Sequence, residues 1–195
     1  MKKDLKSPET LFDFFHGKVR VAGDDMTLDL DPDTILYLAK LLTDRARYIP
    51  EKHEYHTLAE LHGRAAHSKP SERIRMYRAL GDHALYRVGF FNESICRSAV
   101  NESYFTDMGA AAYYQVDQTF KTWFADAFGP VFKELANRFM ECVHIIGAVK
   151  RSTGTDGSAS ILRLYQKWLH HGDENALSTL RQYGILVSPP HSLLD

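Results

Sequence analysis

Glu141 and His144 stand three residues apart in a stretch with helical patterning, which would put a carboxylate and an imidazole on one helix face. Carboxylate-bridged di-iron bundles use two such Glu-x-x-His pairs, with a Glu from each of two further helices. This chain has one clean pair. Asp82, His83, Asp107, Asp117 and Glu134 are the residues that neighbouring helices could add to it. The leading set is Glu141, His144, Asp82, His83 and Asp107 around iron or another divalent metal. The same residues also fit a structural account. Glu134, Arg138 and Glu141 form one helical ladder, and Arg78, Asp82 and Tyr86 another. Pairs at such spacing stabilise a helix by about 0.2–0.5 kcal/mol each.

A second chemistry is suggested by rings beside small residues. Gly81, Gly89 and Gly109 fall inside helix-patterned stretches, where glycine costs about 0.5–1 kcal/mol relative to alanine. Close helix-on-helix packing would justify them. So would a flat ligand such as a haem or another tetrapyrrole, lined by Tyr86, Tyr113, Tyr114 and Trp123, with His83 or His144 as axial ligand. A third chemistry is charge. Arg64, Lys69, Arg73, Arg75 and Arg78 crowd one region, opposed mainly by Glu72. They read as a solvated helix face or as a docking patch for a phosphate or an acidic partner.

Other signals are weaker. His53, His56, His62 and His67 alternate with Glu51, Glu54 and Glu60, but four-ligand zinc spacing is absent and no cysteine is near. A pH-sensitive surface strip is the expectation there. No Gly-x-Ser-x-Gly elbow occurs. The loop Ser152 to Gly157 lacks the Gly-Lys-Ser/Thr ending of a phosphate loop.

The elements that must position these groups are helical. Residues 18–30 alternate around Gly23 and Asp24 and predict a small hairpin in an N-terminal arm, 1–30. Asp31 and Pro32 open a helix whose Ile35, Leu38, Leu41 and Leu42 form one stripe. Thr57 and Glu60 form a capping box for a short helix. Long helices follow over 71–91 and 103–128, then one from Pro130 whose stripe is Val131, Leu135, Phe139, Cys142, Val143 and Ile146. Two more run over 158–170 and from Asp173 to Tyr183, and residues 188–195 form an extended tail. The expectation is all-α: a single-domain bundle of about seven helices, its helical part spanning 31–187. In helix number and its one Glu-x-x-His, the chain resembles the haem-oxygenase-like and ferritin-like architectures.

A chain of 195 residues can bury roughly 70 % of its unfolded surface as one domain. Its formal charge of −1 supplies no global attraction for nucleic acid or membrane. Cys96 and Cys142 cannot make a disulfide framework, and no apolar run approaches the ~20 residues of a membrane span. The expected location is cytoplasmic, and a homodimer is the commonest assembly to expect. Phe90, Phe91, Phe105 and Phe120 fit either a core or a dimer interface.

Three functions therefore compete: a binding or regulatory protein acting through a protein partner or small ligand, a metal-dependent oxidoreductase, and a tetrapyrrole binder. The candidate binding residues are Arg73, Arg75, Arg78, Tyr86, Tyr113 and Tyr114. Elemental analysis and a visible spectrum of purified protein separate the three. The second predicts about one or two equivalents of iron or manganese, the third a Soret band, and the first neither.

Overall fold

The computed structural model describes residues 9–47, 57–95, 102–124, 129–152 and 158–187. Thr10 opens the first helix with a capping box. Its hydroxyl accepts from the Asp13 amide (3.1 Å), while the Asp13 carboxylate accepts from the Thr10 amide (3.1 Å). From there α1 (Leu11–Asp25) runs through the segment in which alternation predicted a hairpin. The hairpin is not formed. Leu11, Phe14, Phe15, Val19 and Ala22 share one buried helical face, and Val21, the residue that made the stretch look strand-like, is exposed. The Gly23-Asp24 pair belongs to the end of this helix. Leu28 donates to the Gly23 carbonyl and Thr27 to that of Asp24 (both 3.0 Å), with Thr27 at φ 54°. That is a Schellman ending with threonine where glycine is usual.

The remaining helices are α2 (Pro32–Arg47), α3 (Leu58–Ala66), α4 (Pro70–Ile95), α5 (Glu102–Trp123), α6 (Gly129–Asn137), α7 (Phe139–Arg151), α8 (Ser158–His171) and α9 (Glu174–Gln182). The protein is all-α, with nine helices among the described residues where about seven were expected. One extra helix is α1. Another arises because the single helix expected from Pro130 breaks at Arg138 (φ −117°, ψ 33°). The Arg138 guanidinium donates to the Asp29 carbonyl (2.6 Å) and to Glu134 (3.3 Å). This ties the break to the loop between α1 and α2. α4 continues beyond the expected end but is kinked at Phe91 (φ −120°, ψ 26°).

β1 (Glu9–Thr10) and β2 (Ile185–Leu186) pair in parallel, Glu9 opposite Ile185, clasping the start of α1 to the segment after α9. The tail 188–195 lies outside the described residues. Among those residues, no helix is long and apolar enough to cross a membrane.

The centre is the antiparallel pair α4 and α5, with α7 packed mainly on α4 and α6 on α5. Its glycines are packing sites. A Cβ on Gly81 would lie 2.6 Å from the Tyr113 ring, and one on Gly89 would lie 2.8 Å from Ile146. One on Gly109 would collide with the Phe139 ring and sit 2.8 Å from the Ala84 methyl. Side chains of the protein therefore fill the faces on which a flat ligand was considered. Of the four phenylalanines weighed for a dimer interface, Phe90 and Phe105 are buried, Phe120 is half-buried and Phe91 is exposed.

Because Gly109 meets both a ring and the neighbouring helix, Gly109→Ala is expected to lower the unfolding free energy by about 1–3 kcal/mol. The shift in urea midpoint measures it; an unchanged midpoint would show that Phe139 moves aside without penalty.

Candidate functional site

Along α2, Tyr37, Leu41, Asp44 and Arg45 follow one another at helical spacing, beside the fully buried Leu38 and Leu42. α4 faces them with Arg78 and Asp82, one turn apart. Together with Ala79, these residues line an open cleft of about 180 Å³.

Asp82 organises the cleft floor. Its Oδ1 accepts from the Tyr37 hydroxyl (2.5 Å) and from the Tyr113 hydroxyl (2.8 Å). Tyr113 rises from α5 and is wholly buried. The Arg78 Nε lies 3.7 Å from Asp82 Oδ2 and donates to the Tyr37 hydroxyl (3.1 Å). Its guanidinium also rests 5.3 Å from the centre of the Tyr37 ring. Tyr37 itself is held edge-on by Phe132 and Tyr113. Desolvation raises the pKa of Asp82, against the opposing pull of the two phenol hydrogen bonds and of Arg78 and Arg45. Burial, reinforced by the Asp82 charge, raises Tyr37 and Tyr113 well above the usual phenol value, so both remain donors.

The six residues expected to bind a ligand are dispersed. Arg78 and Tyr113 meet at the cleft. Arg73 folds back onto the carbonyls of Ala66 and Ser68 (both 3.1 Å), closing the end of α3. Arg75 is exposed and pairs with Glu72 at 3.5 Å. The basic run is thus divided among separate tasks rather than presented as one patch. Tyr86 stacks on Phe90 beneath Arg45, and burial pushes its pKa up to about 12. Tyr114 is exposed, as is Trp123.

The five expected metal ligands do not converge. Asp107 and His144 are exposed, and Glu141 lies 3.9 Å from Arg138. His83 is also exposed by area, yet crowded enough that partial desolvation, then the Arg45 and Arg87 charges, lower its pKa. Among the described residues no three His, Cys, Asp or Glu side chains are grouped to hold a metal. The reserve ligands are placed elsewhere too: buried Asp117 pairs with Lys121 (2.6 Å), and Glu134 with Arg138 and the Asp31 amide. Cys142 is buried, which pushes its thiol up to about 12 and makes it a poor nucleophile. His62 packs against Tyr77, and His67 hydrogen-bonds the Gly63 carbonyl (2.9 Å). His53 and His56 lie outside the described residues.

Tyr37, Asp44 and Arg45 were missed by sequence reasoning. The signal was present, since they flank the apolar stripe of α2, but attention to the stripe alone hides its border. Comparisons with protein-family models, with curated proteins and with solved structures find no match to this chain.

Asp82→Ala leaves the buried Tyr113 hydroxyl without an acceptor, and an expected loss of about 2–4 kcal/mol follows. Asp82→Asn keeps an acceptor and should lose less. Since folding raises the Asp82 pKa above 3.8, its favourable contribution is complete below that value and is lost as pH rises through the folded pKa. Urea unfolding from about pH 3 to 7 should therefore show wild-type stability falling relative to Asp82→Asn as pH increases. A flat or rising difference contradicts the raised pKa.

Proposed function

We propose that this chain is a binding or regulatory protein that captures a small anion in the cleft between α2 and α4. The observation that carries the reading is the mounting of Arg78. Its Nε is engaged by Tyr37 beside Asp82, and its guanidinium lies over the Tyr37 ring, 5.3 Å from the ring centre. Its terminal NH2 groups make no hydrogen bond among the described residues, and the side chain remains about two-fifths exposed at 43 %. Arg45 lines the same cleft. A preoriented guanidinium with free outward donors is suited to a carboxylate or phosphate oxygen pair. The cleft, at about 180 Å³, is smaller than the roughly 300–1,000 Å³ that houses drug-sized ligands. A ligand of few heavy atoms fits that size. A small dicarboxylate or inorganic phosphate represents the class.

Isothermal titration calorimetry with phosphate, acetate and malonate tests the reading. At least one should bind, and Arg78→Met should weaken it by about tenfold or more, as expected for a lost charge-assisted hydrogen bond. Tyr37→Phe, which removes the hydroxyl that steadies Arg78, should weaken it less. Absence of binding by all three anions, or equal affinity in Arg78→Met, would refute the proposal.

A further inference from the structure

A larger groove, of about 520 Å³, runs between α1 and the end of α7. Phe14, Ala22, Met26 and Ala148 give it apolar surface. Lys18, Arg20 and Arg151 give it three bases against a single acid, Asp25. That local excess stands out in a chain whose formal charge is −1. Arg151 lies at the carbonyl end of α7, where the helix dipole favours a base regardless of any ligand. Lys18 and Arg20 lie before the last turn of α1, so its carbonyl end does not account for them in the same way.

Gly17 supplies a second observation. A Cβ at this position would meet nothing within 4 Å. Gly81, Gly89 and Gly109 each admit a neighbouring side chain, which explains the absence of a Cβ there. Gly17, like Gly63 in α3, carries the same helix penalty with no neighbour to gain from it, but of these two only Gly17 lines the groove. The missing side chain keeps the groove open.

The geometry points to a binding site for a small amphipathic acid in the α1–α7 groove. Its anionic head is attracted by the bases that border the groove, Lys18, Arg20 and Arg151, and its apolar or aromatic body lies along Phe14, Ala22 and Met26. The Lys18 ammonium sits 5.8 Å from the centre of the Phe14 ring, so cation and apolar surface already adjoin. The volume falls within the range of about 300–1,000 Å³ typical of small-molecule sites. None of the groove residues belongs to the α2–α4 cleft, and the inference does not rest on the small-anion reading.

The test uses the full chain and the fluorescent sulfonate 8-anilinonaphthalene-1-sulfonate, with circular dichroism confirming that each variant is folded. Saturable one-site binding is expected, displaced by decanoate and not by inorganic phosphate. Gly17→Trp, which fills the groove, and the double variant Lys18→Glu, Arg20→Glu should each weaken the probe by about tenfold. Gly17→Ala should raise Tm and leave affinity within about twofold, and Arg78→Met should leave it unchanged. The proposal is overturned by lack of saturable binding, by equal displacement with phosphate, or by undiminished affinity in the groove-filling and charge-reversed variants. A fall in Tm for Gly17→Ala would also count against it, because the glycine would then have a structural reason.

Discussion

The ring of Tyr113 occupies the space that a Cβ on Gly81 would need, and the arrangement of the cleft follows from that contact. α4 and α5 approach closely enough for a tyrosine from one helix to lie against bare backbone of the other. The ring is then enclosed by Tyr37, Phe132 and Phe139, with no route to solvent for its hydroxyl. A buried phenol without a partner would be costly, so an acceptor has to be within reach. Asp82, next in sequence to Gly81, provides it. Backbone proximity, ring burial and the position of the carboxylate are therefore one constraint expressed three times.

The second consequence concerns Arg78. A guanidinium 3.7 Å from a carboxylate is a loose ion pair, whereas the phenol contacts to Asp82 are short. Phenols, then, supply most of the direct hydrogen bonding to the carboxylate, and Arg78 acts on it from a greater distance. What holds Arg78 is the Tyr37 hydroxyl and the face of the same ring. Such mounting steadies the guanidinium without enclosing it. Had Arg78 and Asp82 formed a tight bidentate pair, the donors on the open side would have been fewer. The loose pair is what leaves the outer donors of Arg78 at the cleft, beside Arg45 and among the carboxylates of Asp44 and Asp82.

Much of this fold was legible because helix signals are local. The stripe of Leu38, Leu41 and Leu42, the capping box of Thr57 and Glu60, and the Asp173 cap all depend on residues within a turn or two of each other. α1 was hidden for a definite reason: Val19 and Val21 alternate with charges, and Gly23-Asp24 imitates a hairpin turn. The competing evidence was the spacing of Leu11, Phe14, Phe15, Val19 and Ala22, which helix burial obeys. The break at Arg138 had no glycine or proline to announce it, since its partner, the Asp29 carbonyl, is remote in sequence. The site was half legible. Arg78, Asp82 and Tyr113 stood out as polar groups among core residues. Tyr37 and Arg45 did not, because only the packing of α2 against α4 brings them alongside. Glu141 and His144 show the converse error: spacing puts two residues near one another on a helix but does not say whether they point inward.

The glycines carry that lesson furthest. Gly17 and Gly109 both stand inside helices, where alanine would be the more stable residue. In the fold they are opposites. Gly109 is crowded by Phe139 and Ala84, so its lack of a side chain is an internal requirement of helix packing. Gly17 has open space above it, bordered by apolar surface and by the bases Lys18, Arg20 and Arg151. Gly63 in α3 is equally open, so it is the place of Gly17 in the groove wall, rather than its openness alone, that leaves room there for a ligand. The surrounding charge fixes the sign of that visitor as negative, and the surrounding carbon fixes its body as apolar.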